Sequence, residues 1–290
     1  MSKSKDREAL ELINKIADEL ATRARLYHPL SADDLDLAKF ELDLDVELSE
    51  PSISSITPEL IYIAFSAKHL PALVSNLRAL SPTTHPRARS ALIQILTLLP
   101  SPEKTNHYLR KFILSPLATG LPSFIASAFV DEVGIEWMQR HSGPGHVCKL
   151  LVQMLYWCEP TMSDDKQASI DLPLRSALLR KIADMRADKD AFKLLDKSQR
   201  DEITILEKEL QRIDAFSRLT TVQAPLLALR SVLEEQIPGV AWCETCMDEP
   251  EEDEGELQAC SRCKTVKYCG TECQTKAWKK HKFRCFAPTF

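Results

Sequence analysis

Along most of this chain, hydrophobic positions recur at helical spacing. Over residues 5–27, Leu10, Ile13, Ile16, Ala17, Leu20, Ala24 and Tyr27 share one face of a predicted amphipathic helix, and Pro29 stops the run. Ser31 then offers an N-cap, with Asp33 and Asp34 favourably placed beside the dipole of the next first turn. That segment closes in FELDLDVELSEP, where Phe40, Leu42, Leu44, Val46 and Leu48 alternate with acids. Alternation is a strand period. The stretch reads as a partly exposed helix end or extended lead-in, in preference to an acidic docking strip.

From Thr57 onward one grammar repeats: a cap, often followed by proline, then an apolar helical run. Predicted helices open at Thr57-Pro58-Glu59, at Pro71, at Pro86 (running through Leu99), at Ser101-Pro102-Glu103, at Pro122, at Pro144 (ending near Cys158), at Pro173 and at Ser198. Proline in a first turn forfeits no hydrogen bond and presets a helical φ. A last run, PLLALRSVLEEQ, ends at Pro238-Gly239, which reads as a linker. The prediction is a mainly α, multi-helical domain over residues 1–238, with the polar stretch 160–171 as a boundary between two sub-blocks. In helix length and connection, residues 57–158 resemble armadillo- or HEAT-like repeats, although no self-similarity appears at a 40-residue period.

Composition narrows the class. With 290 residues, 44% of them apolar and 27% charged, the chain can bury a sizeable core. No run approaches the 18 apolar residues of a membrane span. The start, MSKSKDREALE, is too charged for a secretory signal. Reduced thiols in cytoplasm, nucleus or both are therefore expected. Glycine is scarce, seven in all and four before Gly239, which disfavours phosphate-cradling loops and tight hairpins over the first 240 residues. No G-x-S-x-G, H-E-x-x-H, G-x-x-x-x-G-K or kinase-type set is present.

The distinctive chemistry lies between Trp242 and Phe286. Seven of the nine cysteines sit there with one histidine: Cys243, Cys246, Cys260, Cys263, Cys269, Cys273, His281 and Cys285. A C-x2-C knuckle places two thiolates at one tight turn, so a metal about 2.3 Å from each sulfur is held by both. The C-x3-C and H-x3-C pairs put both donors on one face of a helical turn. Eight donors make two complete tetrahedral zinc sites and leave no position for a catalytic water. The four pairs can combine sequentially or interleaved, and spacing alone does not choose. Flanking Glu, Lys, Ser, Arg and Thr argue against a nest of buried free thiols, and a reducing compartment argues against disulfides. Zinc loading sets seven thiolate charges against four positive ones, which takes the formal charge below its value of −5.

Around these donors the segment resembles a MYND-type zinc finger. That pattern adds an aromatic before the fifth ligand, Gln after the sixth, Trp four residues later and Lys after the histidine, matched here by Tyr268, Gln274, Trp278 and Lys282. A RING finger would want a central C-x-H pair, which is absent. The departure is a long acidic insertion between the first two knuckles. The resemblance covers residues 243–285 and implies interleaving, with Cys243, Cys246, Cys269 and Cys273 on one zinc and Cys260, Cys263, His281 and Cys285 on the other. It also implies a shallow groove for proline-containing peptides, to which Ser261, Gln274 and Trp278 correspond by position. The expected domains are thus a helical one over 1–238 and a finger over 242–286.

The remaining candidates read as structural. Cys148 and Cys158 lie on an apolar run about 15 Å apart by helical rise, too far to share a metal, and His146 falls on another face. His28, His69, His85, His107 and His141 form no ligand pair. The basic bias of Lys264, Lys267, Lys276, Lys279, Lys280, Lys282 and Arg284 has one interleaved aromatic, Trp278. It reads as a solvated face offset by the acidic insertion, not as a nucleic-acid platform. The functional expectation is a non-enzymatic, zinc-binding adaptor or scaffold that docks a protein partner, its oligomeric state open. The alternatives are a transcriptional regulator that touches nucleic acid through the basic finger, and a relative of MYND-containing lysine methyltransferases. The second would need a β-rich SET fold with an Asn-His pair; the residues before the finger read as helical and glycine-poor, and the one Asn-His dipeptide, Asn106-His107, falls within a predicted helix.

Overall fold

Capping and periodicity build this molecule as packed helices, and its finger is docked on those that hold Asp6, Glu59 and Tyr108. The computed structural model describes residues 3–27, 56–81, 85–102, 105–132, 143–157, 170–219, 240, 242–248 and 256–290. Among them are ten α-helices and one 3-10 turn, Pro116–Ala118. The helical block comprises α1 (Lys3–Arg23), α2 (Pro58–Ala79), α3 (Pro86–Leu98), α4 (His107–Ile113), α5 (Leu121–Glu132), α6 (Pro144–Trp157), α7 (Leu172–Ala187), α8 (Lys189–Lys193) and α9 (Lys197–Leu219). The finger adds a two-stranded antiparallel hairpin, β1 (Gln258–Ala259) and β2 (Lys267–Tyr268), and then α10 (Thr271–His281). The mainly α prediction is met.

Local signals explain most helix ends. Asp171 accepts the N–H of Leu174 at 2.8 Å, Asp188 that of Ala191 at 3.0 Å, and Asp196 that of Gln199 at 2.9 Å. Each is an N-cap satisfying an orphan donor of the first turn. Helix α1 stops before Pro29 is reached. Arg25 takes a left-handed φ of 51°, and Leu26 N–H returns to Ala21 C=O at 3.0 Å, with Leu26 buried beneath the turn. This is a Schellman end. It carries Tyr27 off the predicted buried face, leaving it 60% exposed, while Ile13, Ile16, Ala17, Leu20 and Ala24 are buried as expected.

Two predicted helix starts are corrected. The fourth helix begins at His107, not at Ser101-Pro102-Glu103. Ser101 C=O accepts the N–H groups of Thr105 and Asn106 in a turn, and the buried Asn106 becomes the cap, accepting Leu109 N–H at 3.0 Å. Its amide also donates to Ser66 Oγ at 2.8 Å, a bond to α2 that local sequence could not announce. Likewise, Pro71 opens no helix, because α2 runs through it to Ala79. Proline has no N–H for the carbonyl four residues back, and that carbonyl, on Ala67, instead accepts Thr289 N–H at 3.0 Å. A segment 222 positions downstream thus supplies the missing donor.

Packing proceeds along the chain. Helix α1 lies on α2, α2 on α3 and α4, and α6 takes a central place against α3, α4, α5 and α9, while α7 contacts α5, α8 and α9. Two of the scarce glycines, Gly143 and Gly145, serve this packing, both against Gln199. A Cβ on Gly145 would lie 2.4 Å from Gln199 Cα, and the Gly145 N–H instead meets Gln199 Oε1 at 3.3 Å. Cys148 is fully buried in the same core, as the apolar pattern predicts. The alternating stretch 40–48, the run 225–236, Cys158, His28, His141, Pro238-Gly239 and most of the polar stretch 160–171 and of the acidic insertion lie outside the described residues.

Candidate metal centres

Each C-x2-C pair of the finger is made by the same turn. Met247 N–H bonds Cys243 C=O at 3.1 Å in the first knuckle, and Lys264 N–H bonds Cys260 C=O at 2.9 Å in the second. The residue after the second cysteine takes positive φ in both, 65° at Met247 and 54° at Lys264, and neither is glycine. Side chains pay for such a backbone, so a compensating interaction has to hold it. The second knuckle is closed further by Cys260 N–H to Val266 C=O at 2.9 Å, which leads into the hairpin. Helix α10 supplies Cys273 and His281, and Cys269 and Cys285 flank it.

These turns gather the eight donors into two interleaved groups, Cys243, Cys246, Cys269 and Cys273, and Cys260, Cys263, His281 and Cys285, with the donor atoms of each group within 4.8 Å of one another. The first and third pairs are tied by Glu244 N–H to Lys267 C=O at 3.0 Å and by Thr245 Oγ1 to Cys273 C=O at 2.8 Å. Sequential pairing is thereby removed.

The distances fit zinc. Four sulfurs about 2.3 Å from a tetrahedral centre are separated by about 3.8 Å. Cys246 and Cys269 sulfurs are 3.7 Å apart, as are those of Cys260 and Cys285, and Cys263 Sγ lies 3.7 Å from His281 Nε2. The Cys269–Cys273 separation is shorter, 3.3 Å. Electrostatics agree. Hydrogen bonds from Cys285 and His281 pull the Cys263 thiol down to about 3, against burial. The same contact with Cys263, and burial, push Cys285 far up. Burial pushes Cys243 up, but the backbone N–H groups of Cys246, Cys269 and Thr245 bring it down to about 6. Thiols this close cannot all ionise without a cation among them, and a dication supplies the missing charge. Two zinc ions are held by these residues, and with every donor position filled by protein their role is structural.

The two centres differ in setting. In the first, Cys246 and Cys269 are exposed; in the second, all three cysteines are buried. The second centre is lined by Tyr268, whose ring meets the His281 ring edge-on at 6.0 Å, and by Trp278 at 5.9 Å. Beyond it the chain joins the helical block. The Tyr108 hydroxyl accepts Phe286 N–H at 2.6 Å and lies 2.9 and 2.8 Å from the carbonyls of Arg284 and Phe286. Lys282 pairs with Asp6 of α1, and Arg284 lies 3.5 Å from Glu59 of α2. Two of the predicted basic residues are thus spent on the helical block, whereas Lys264, Lys267, Lys276, Lys279 and Lys280 are exposed. Trp278 is 43% exposed, Ser261 is exposed and Gln274 is half-buried. Tyr108 escaped sequence reasoning, since a buried helix face carries no mark of what it will touch.

A compact module braced by two interleaved zinc sites defines the class of this segment. Residues 243–285 match the family model of the MYND finger, and they form such a finger, a zinc module of protein–protein interaction. A SET and MYND domain-containing protein of Dictyostelium discoideum is 51% identical over 45 residues, which is 15% of this chain and 8% of that relative. No solved structure matches the chain.

Proposed function

We propose that this protein is a non-catalytic adaptor of the cytoplasm or nucleus, a helical scaffold whose finger docks a partner through the face around Trp278. The observation that carries the reading is the placement of this tryptophan. It is exposed on α10 between Cys273 and His281, with Gln274 one turn earlier on the same face. A rigid aromatic on a metal-braced helix loses little side-chain entropy on docking, and a proline ring is an equally rigid counterpart. The preferred partner is therefore a proline-containing peptide segment. The helical character of the described residues before the finger supports a role without catalysis. The methyltransferase alternative comes from the family resemblance, and the relative named for SET and MYND domains adds to it over 45 residues alone, 15% of this chain.

A titration of Trp278→Ala and Gln274→Ala against a proline-containing partner peptide, with zinc content checked, tests the reading. The tryptophan change should weaken binding by about 2 kcal/mol, roughly thirty-fold. Lys279→Ala and Lys280→Ala should each cost under about 1 kcal/mol. Dominant lysines with a steep salt dependence would replace this reading with nucleic-acid contact. Because Trp278 also packs on His281, zinc loss in Trp278→Ala would make it a support of the metal instead. Full binding by a folded, zinc-loaded variant would eliminate the groove.

A further inference from the structure

Beyond the finger, residues 286–290 (FAPTF) lie on α2 and α4. Pro71 leaves the carbonyl of Ala67 without its helical donor, and Ala67 is fully buried. Thr289 supplies that donor and adds a bond to the next carbonyl: its N–H bonds Ala67 C=O at 3.0 Å and its hydroxyl donates to Lys68 C=O at 2.9 Å. Two aromatic anchors flank this pairing. Phe286 is buried with its ring 6.4 Å from Tyr108, and Phe290 stands edge-on to Phe112 at 5.3 Å, with the Lys111 ammonium 5.7 Å from its ring. Tyr108 and Phe112 are four apart on one helix and so share a face. They match two phenylalanines that are likewise four apart.

We propose that this α2–α4 surface is a peptide-docking groove, separate from the Trp278 face, that recognises an extended segment of the form aromatic-x-x-Thr-aromatic. Residues 286–290 are its ligand in cis. The groove offers what such sites require: a main-chain acceptor that the helix itself cannot satisfy, and pockets for spaced aromatic side chains. Pro71 keeps that acceptor open whether or not the segment is in place. When residues 286–290 lift away, a buried carbonyl loses its partner, which favours return of the segment or capture of another peptide with the same donors. Tethering next to Cys285 gives the cis ligand a local concentration on the order of millimolar, so a partner enters only when the cis segment is released.

The test uses the full chain loaded with zinc and a fluorescein-labelled Phe-Ala-Pro-Thr-Phe peptide read by anisotropy. Thr289→Pro combined with Phe290→Ala removes the donor and one anchor in cis and leaves all eight metal ligands. This variant should bind the peptide at least about tenfold more tightly than the unsubstituted chain. Adding Phe112→Ala should abolish the gain. A variant with intact helical signal and two zincs that binds no better than the unsubstituted chain, or one whose binding survives Phe112→Ala, overturns the proposal. A second measurement covers a variant that fails to fold. Pro71→Ala returns a helical donor to Ala67 C=O, so the Thr289 amide should exchange hydrogen at least about tenfold faster than in the unsubstituted chain. Unchanged exchange overturns the groove as well.

Discussion

The two zinc centres use nearly the same donors and stand in opposite surroundings. Among the described residues the first, with Cys246 and Cys269 exposed, is braced from within the finger, through Thr245, Glu244 and β2. In the second, Cys285 is followed directly by Phe286, whose backbone is held at both N–H and C=O by Tyr108 of α4. Lys282 and Arg284, on either side of the same stretch, reach α1 and α2. Ligand chemistry decides that zinc binds in both places. What each zinc holds together depends on what its ligands touch next. The first zinc closes a loop, and the second fastens the finger to the helical block.

The largest expected effect sets one centre against the other. Cys285→Ser should lower both zinc content and the melting temperature of the helical signal, with a loss of at least about 3 kcal/mol, because structural zinc contributes directly to folding. Cys246→Ser should cost one zinc and leave the helical melting nearly unchanged. Equal effects on helical melting would erase the distinction.

Tyr108→Phe sharpens it. Removing the hydroxyl orphans the buried Phe286 N–H and its carbonyl neighbours, at about 2 kcal/mol. Zinc stoichiometry should remain two while denaturant midpoints fall. Next comes release to a chelator, followed by the absorbance of a zinc-responsive dye: one zinc should leave at least about tenfold faster than the other, and Cys246→Ser should remove the fast phase. A single phase in the unsubstituted chain would mean that exposure of the first centre has no kinetic consequence.

The last effect is gradual and lies in pH dependence. Burial first, and then the charge of Arg110, hold the His107 imidazole down to about 3, below its ordinary 6.5. The unfolded chain takes up this proton below pH 6.5, whereas the folded chain does not until about pH 3. Stability from the neutral ring is therefore complete above 6.5 and is lost as pH falls through that window, by about 1.4 kcal/mol per unit at most. His107→Gln should flatten the stability profile between pH 7 and 5. An unchanged slope would show that His107 takes up its proton alike in the folded and the unfolded chain.

The donors of both centres were legible residue by residue, because thiolate and imidazole ligation forces short, recognisable spacings such as C-x2-C and H-x3-C. Helices were legible where a cap and an apolar period agreed, as at Thr57-Pro58 and Pro144, since those signals act within one or two turns. Interleaving of the four pairs was carried by family resemblance and not by arithmetic, and the structure shows the bonds from Glu244 and Thr245 that enforce it. Pro71 and Asn106 mark where local reading ends. A proline reads as a helix start when only its own turn is considered, and Ser101 outranks Asn106 as a cap on sequence pattern alone. Thr289 and Ser66 reverse both readings by supplying partners from 222 and 40 positions away. Sequence by itself determined the ligands, the metal and most helices, since each depends on neighbours within a few residues. Tertiary structure decided which helix runs through its proline, which cap is used and which zinc fastens the finger to the block, because each rests on a hydrogen bond whose second partner arrives only when the chain has folded.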